Sequence, residues 1–296
     1  MSRFIDELLS GGPIVTDGAW GTQLQARGLE VGECPDSWNL LHPERVEEVA
    51  RAYVQAGSQV ILTNTFGSNR LILERSGLGE QVAEINRIGA EVSKRAAGAE
   101  ALVFASMGPS GKMLLAEEVT EGELLKAFVE QATALAEGGA DAIVIETMSE
   151  LTEAKLAVQA AKETGLSVVA CMVYDCGSKK DRTMTGVTPE EAAKALTEAG
   201  ADVIGANCGQ GIEGFVSICA RLRAATPLPL WIKPNAGLPE MVGDKAVYRT
   251  TPEEFAGTIP ALLEAGARFI GGCCGTDPNF IRAIQGALAR SPAIRE

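Results

Sequence analysis

The chain has 296 residues, with 26 Lys+Arg, 39 Asp+Glu, one His and a formal charge of −13. Hydrophobic residues make up 46% and charged residues 22%, a globular balance that excludes a disordered or collagen-like chain and suits one large α/β domain or two small ones. The acidic surplus without a basic stripe argues against a nucleic-acid partner, and a lone His42 excludes any site that needs two imidazoles and leaves a Ser-His-Asp triad only one possible base.

From the N-terminus, MSRFIDELLSGG carries acid by position 6 and no long apolar core, so it does not read as a secretory signal and a cytoplasmic location is expected. No apolar run approaches the roughly 18 residues needed to cross a bilayer, so no membrane association is expected. A recurring phrase then organises the chain: a helical stretch stops at a small-residue turn and an apolar strand follows. It appears at 55–64, 138–147, 198–208 and 264–274, where glycine after each helix fits a left-handed cap and the apolar run a strand buried on both faces. Further strands read at 13–19, 101–108, 167–173 and 228–237. Helical patterns fall between them at about 42–57, 80–97, 121–138, 149–164, 188–199, 212–225, 252–265 and 278–290. Thr120 with Glu123 has capping-box spacing, and Thr188 precedes Pro189 at a first helical position. Eight strands alternating with eight helices and no linker predict an α/β fold, a single (β/α)₈ TIM barrel over residues 1–296, with a doubly wound open sheet as the other arrangement.

In such barrels chemistry sits at the C-terminal ends of the strands. Those ends read Asp17, Asn64/Thr65, Ser106, Glu146, Tyr174/Asp175, Asn207/Cys208, Asn235 and Cys273/Cys274. The seven cysteines are odd in number and have no export signal, which argues against a disulfide framework and for metal binding or catalysis. Cys208, Cys273 and Cys274 would converge on the mouth as three thiolates with a fourth position open, the form of a catalytic zinc site. Adjacent residues of a regular strand point to opposite faces, so Cys273 and Cys274 can share one metal only where the strand breaks, which Gly271, Gly272 and Gly275 permit. Three other readings stay open: buried small hydrophobes, a vicinal Cys273–Cys274 disulfide, or a lone nucleophile. Cys34, Cys171, Cys176 and Cys219 read as structural. Lys233, at a strand end, raises a Schiff-base lyase or aldolase as a competing class. GQGIEG at 209–214 matches Gly-x-Gly-x-x-Gly, but the acidic residue about 20 positions on that a dinucleotide site needs is missing.

Taken together, DGAWGTQLQ (17–25), TNTFGSN (63–69), GPSG (108–111), ETMSE (146–150), TGVTPEEA (185–192), NCG (207–209), KPNAG (233–237) and GGCCG (271–275) resemble, in order, the motifs of the homocysteine S-methyltransferase family, from about residue 11 to 288. The resemblance implies a (β/α)₈ barrel with Zn²⁺ held by Cys208, Cys273 and Cys274, and transfer of a methyl group to homocysteine to form methionine. It assigns Asp17 and Glu146 to the substrate ammonium; by their local sequence alone they would be a turn residue and a helix-entry charge. Backbone N–H groups around Gly18 and Ala19, or the hydroxyls of Thr65 and Ser106, are candidates for the substrate carboxylate. Asn235 matches an Asn near zinc in the methionine-synthase branch; by its local sequence alone it would be a turn former.

The methyl donor divides the family. CPDSWNLLHPERV (34–46) looks like the matching stretch of bacterial betaine-homocysteine methyltransferases, which points to a small onium donor such as betaine; Trp38, with Trp20 and Tyr174, would supply aromatic faces for it. The corrinoid-ligating pattern Asp-x-His-x-x-Gly is absent around His42, so the alternative, a methylcorrinoid donor, would arrive on a separate corrinoid protein. A non-catalytic, zinc-carrying partner of such a protein is a third class.

Overall fold

The computed structural model describes residues 2–242 and 245–290; the expected single unit of 1–296 also takes in Met1, Gly243, Asp244 and 291–296, which lie outside the described residues. Eight strands form one sheet: β1 (Ile14–Val15), β2 (Val60–Ile61), β3 (Leu102–Met107), β4 (Ala142–Met148), β5 (Ser167–Met172), β6 (Val203–Gly211), β7 (Leu230–Asn235) and β8 (Ala267–Ile270). Their order is β1-β8-β7-β6-β5-β4-β3-β2 and every pairing is parallel. The remaining seam, between β1 and β2, is bridged by Gln59: its N–H donates to the Val15 carbonyl at 2.8 Å and its side-chain oxygen accepts from the Val15 N–H at 3.0 Å. Helices lie between the strands, so the expected TIM barrel is the observed fold.

Side-chain alternation explains why the strand runs read as wholly apolar. One face packs against the surrounding helices, and the other fills the barrel axis with Ile14, Val60, Leu62, Phe104, Val144, Val169, Cys171, Val203, Trp231 and Phe269. The Phe104, Trp231 and Phe269 rings sit 5.3–6.3 Å apart, so bulk rather than a channel occupies the axis. The base is closed by a helix the sequence reading left out, α1 (Arg3–Leu9), which sends Ile5 into the axial cluster and sets Phe4 6.1 Å from Phe104.

The anticipated capping box is present at Thr120/Glu123, Pro189 stands at the first helical position after Thr188, and Thr188/Glu191 and Thr251/Glu254 form two further capping boxes. The helix expected over 252–265 is two, Pro252–Gly257 and Ile259–Glu264, because Pro260 has no N–H to continue the first ladder. The strand expected over 264–274 is also shorter. It ends at Ile270, which leaves both cysteines in the loop beyond it.

The loops after β1 and β2 are latched together at the mouth by one buried carboxylate. Asp36 Oδ1 accepts from the Gly67 N–H at 3.0 Å and the Ser68 hydroxyl at 2.6 Å. Burial pushes its pKa up to about 6 against the pull of those bonds. A raised carboxyl pKa means that the fold favours the protonated form, so its contribution is complete below the ordinary value of 3.8 and is lost as pH rises through about 6. At roughly 1.4 kcal/mol per pKa unit, the wild type should lose about 3 kcal/mol between about pH 3 and pH 7 that Asp36→Asn does not lose. Denaturant midpoints of the two proteins across that window measure the difference.

Candidate metal and substrate site

The three expected cysteines meet at the C-terminal mouth. Their Sγ atoms all lie within 4.8 Å of one another, the only such trio of Cys, His or acidic ligands among the described residues. Cys208 comes from β6 with a left-handed φ of +62°. Cys273 and Cys274 lie past the end of β8, where a break in the strand lets adjacent side chains converge. The break needs glycine: a Cβ on Gly271 would lie 2.0 Å from Thr16 Oγ1, and one on Gly272 would lie 2.4 Å from Thr276 Oγ1. Backbone bonds from Gly272 to Asp17 O and from Cys273 to Pro234 O hold the loop in place. All seven cysteines are free in the structure.

Asn235 fastens the trio. Its Nδ2 donates to the Gly209 carbonyl at 2.9 Å and its Oδ1 accepts from the Cys274 N–H at 3.0 Å. It also reaches the Cys208 sulfur. Hydrogen bonds from Cys273 and Cys274 hold the Cys208 thiol far below its ordinary pKa, and the same sharing pushes Cys273 up. The cluster therefore favours one thiolate steadied by two thiols, a donor set of the soft kind that suits zinc or copper(I). Half-buried Tyr248 lies over Gly275 with its phenol toward Cys274; burial and that thiol raise its pKa.

Beneath the thiols lie three buried charges. Glu146, on β4, accepts from the Ser106 hydroxyl and, at 3.2 Å, from Asn207 Nδ2. Burial raises its pKa, while Lys233 opposes the rise. Asp17 has no exposed surface. Its Oδ1 pairs with Lys233 Nζ, and its Oδ2 accepts from Trp20 Nε1 and the Leu62 N–H, each at 2.7 Å. Burial alone would lower the Lys233 pKa, but Asp17 and Glu146 together raise it. A protonated amine is no nucleophile, which weighs against the Schiff-base reading.

Most of the expected substrate-binding groups are already engaged within the protein. Asp17 is paired with Lys233, whereas Glu146 has hydrogen bonds but no ion-pair partner among the described residues. The Ala19 N–H is engaged by Thr276, while Gly18 is wedged between Tyr53 and Thr276. Thr65 donates to the Ser106 carbonyl at 2.7 Å, and the Ser106 hydroxyl donates to Glu146. Trp38 does not line the mouth. It is 1% exposed, packed edge-on against His42 at 4.9 Å, with the Arg45 guanidinium 5.2 Å over its ring. Tyr174 is likewise buried, and only Trp20 of the three candidate rings is part-exposed. Sequence reasoning gave no role to Asn207 or Thr276 and did not pair Lys233 with Asp17. A lysine inside the apolar run LPLWIKP was the available signal, since a buried cation demands a buried acid.

Removing one member of a buried pair leaves the other charge uncompensated, at about 3–5 kcal/mol. Lys233→Met should lower stability by that amount in chemical denaturation, and adding Asp17→Asn should recover most of the loss.

The family model described as homocysteine S-methyltransferase matches residues 14–288. Methionine synthase of Mycobacterium tuberculosis is 30% identical over 299 residues, and that of Mycobacterium leprae 30% identical over 302. Each alignment takes in 96% of this chain but 25% of the relative, so the chain spans about a quarter of the length of these curated relatives. Among solved structures, the metallated form of the homocysteine methyltransferase MmuM from Escherichia coli superposes with a TM-score of 0.81 at 23% identity, covering 96% of this chain and 99% of that one.

Proposed function

The chain belongs to the homocysteine S-methyltransferase family, and we propose that it transfers a methyl group to the thiol of homocysteine, forming methionine, with Zn²⁺ held by Cys208, Cys273 and Cys274 in one barrel domain. The observation that carries this reading is the convergence of three sulfurs within 4.8 Å at the mouth of the barrel, directly above a buried carboxylate. Three thiolates with a fourth position left over are the donor set of a catalytic zinc site. When bound, the ion would supply a Lewis-acid charge that favours an ionised thiol over the protonated form, whose ordinary pKa is about 8.5.

The chain's own residues do the rest. Glu146, braced by Ser106 and Asn207, offers a buried anionic acceptor for the substrate ammonium. Lys233 pairs with Asp17, so a ligand cation would find Glu146 without an ion-pair partner among the described residues. Asn235 keeps the loops bearing Cys208 and Cys274 in register. In the transfer, the homocysteine thiol gives up its proton and its sulfur bonds the methyl carbon. The bond from that carbon to the donor breaks, and its electron pair leaves with the donor. Such a displacement needs no general base after ionisation, in keeping with a chain whose one His is His42.

For the donor, two observations favour a protein-borne methylcorrinoid over a small onium compound such as betaine. Trp38 and Tyr174, two of the three rings expected to receive an onium group, are buried, which leaves Trp20 part-exposed. The most exposed large apolar side chains among the described residues, including Leu41, Phe66, Leu115, Met184, Leu238 and Met241, all stand on the loops that follow strands β1, β2, β3, β5 and β7. That apolar rim around the mouth suits a protein surface. No described helix is long and apolar enough to cross a membrane.

Metal content and turnover test the reading together. The wild type should carry about one zinc per chain, and Cys273→Ala should carry far less and lose methionine formation. A screen of betaine, S-methylmethionine and methylcobalamin, free and on a corrinoid protein, should give its highest rate with the protein-borne donor. Full activity of metal-free Cys273→Ala would refute the proposal.

A further inference from the structure

Two residues other than glycine adopt left-handed backbone within the barrel strands: Thr147 and Cys208, each with φ of +62°. Both stand where a ladder slips. The β4–β5 register shifts between Ile145 and Met148, and the β6–β7 register shifts between Cys208 and Gly211. A bulge re-aims the side chains beside it. On β4 these are Glu146 and Thr147; on β6 it is Cys208. For a β-branched threonine the left-handed region is a strained choice that persists only where its surroundings impose it.

One side chain imposes it. Asn207, with no exposed surface, accepts from the Thr147 N–H at 2.7 Å through Oδ1. Its Nδ2 donates to Thr147 Oγ1 at 2.7 Å and to Glu146 Oε2 at 3.2 Å, and the same nitrogen lies 3.9 Å from Cys273 Sγ. A carboxamide has the acceptor and the two hydrogens these contacts use; aspartate lacks the donors and leucine lacks both. β4 and β6 are separated by β5, so the amide reaches across the mouth and not along a ladder.

We infer that Asn207 is a positioning residue: by clamping the left-handed turn at Thr147 it fixes Glu146 against the three thiols and so sets the span between sulfur and ammonium that the site accepts. This rests on the proposed function for the identity of the substrate. Homocysteine places three carbons between those two groups, and a clamp of fixed length selects for that spacing. Asn235 and the glycines after β8 hold the three sulfurs, and the clamp touches them through its 3.9 Å contact with Cys273 Sγ.

The test compares homocysteine with 4-mercaptobutyrate, the same thiol without its ammonium. Asn207→Ala should lower kcat/KM for homocysteine roughly tenfold or more, chiefly through KM, as expected for a misplaced hydrogen bond to a charge. For 4-mercaptobutyrate it should change kcat/KM less than about twofold, and it should leave zinc content and the thiolate-to-cobalt absorption of the Co²⁺ form as in the wild type. Asn207→Asp, which keeps the acceptor for the Thr147 N–H, is the variant to use if the alanine does not fold. Thr147→Gly added to Asn207→Ala should restore much of the preference for homocysteine, because glycine adopts the turn unaided. Equal losses for the two thiols, or no restoration by glycine, would overturn the inference. If the wild type turns over neither thiol, the proposed function fails, and the clamp is judged by melting alone. The Tm loss from Asn207→Ala should then shrink by more than half when residue 147 is already glycine, and an undiminished loss would overturn it.

Discussion

Consecutive side chains on a strand point to opposite faces, so Cys273 and Cys274 can reach a common centre only if the backbone abandons its ladder just before them. The arrangement of the mouth depends on meeting that constraint. β8 stops at Ile270, and the chain then passes so close to Thr16, Asp17 and Thr276 that no side chain larger than hydrogen fits at 271 or 272. The backbone bonds made in that passage bind the loop to β1 and β7 at once. Asn235 then joins it to the turn after Cys208. The sulfurs are therefore gathered by backbone geometry before any ion could draw them together, a preorganisation that lowers the ordering cost of binding one.

Such closeness carries an electrostatic cost. Three thiols, Glu146 and Asp17 crowd a mouth in a chain already at −13. Among the described residues the protein answers with a single buried cation. Lys233 pairs with Asp17 and is held charged by Asp17 and Glu146 together, while the axial rings of Trp231 and its neighbours deny water to the floor. The other oxygen of Asp17 meets Trp20 and Leu62, and so links the ends of β1 and β2 at the seam that Gln59 bridges. The ion pair thus serves the closure of the barrel as much as the charge of the site, which explains why it sits beneath the mouth with no solvent contact.

How much of this was legible in the sequence follows from the range of each interaction. The barrel was legible, because apolar runs of strand length separated by capped helices report burial on two faces, a local pattern. The cysteines were legible because Cys208 ends one run and GGCCG another. α1 escaped notice because seven residues carry too little periodicity to announce a helix, and its reason for being, the open base of the barrel, exists only in three dimensions. The aromatic cage failed for a related cause: Trp38 beside His-Pro looks like a loop ring in sequence, yet the Arg45 stacked on it lies one helical turn into the next element. Asp17 and Lys233 are 216 residues apart, so their pairing could be inferred only from the oddity of a lysine within an apolar run.

The contacts of Asn207 and the apolar rim bear on one division of labour. The mouth has an inner layer, where polar groups are fully engaged with one another and with the backbone, and an outer layer of loops whose large apolar side chains stand in solvent. The inner layer suits a small zwitterion, since each of its charges would replace a specific contact. The outer layer offers little to a small charged donor, because methionine and leucine tips discriminate by area and shape and not by hydrogen bonds. Acceptor and donor would thus be recognised by different physics at different depths: the first by the buried carboxylate and thiols, the second by the surface that delivers it. A donor borne on a macromolecule satisfies both layers at once, because its bulk covers the rim and excludes water while only its methyl group needs to reach the sulfur.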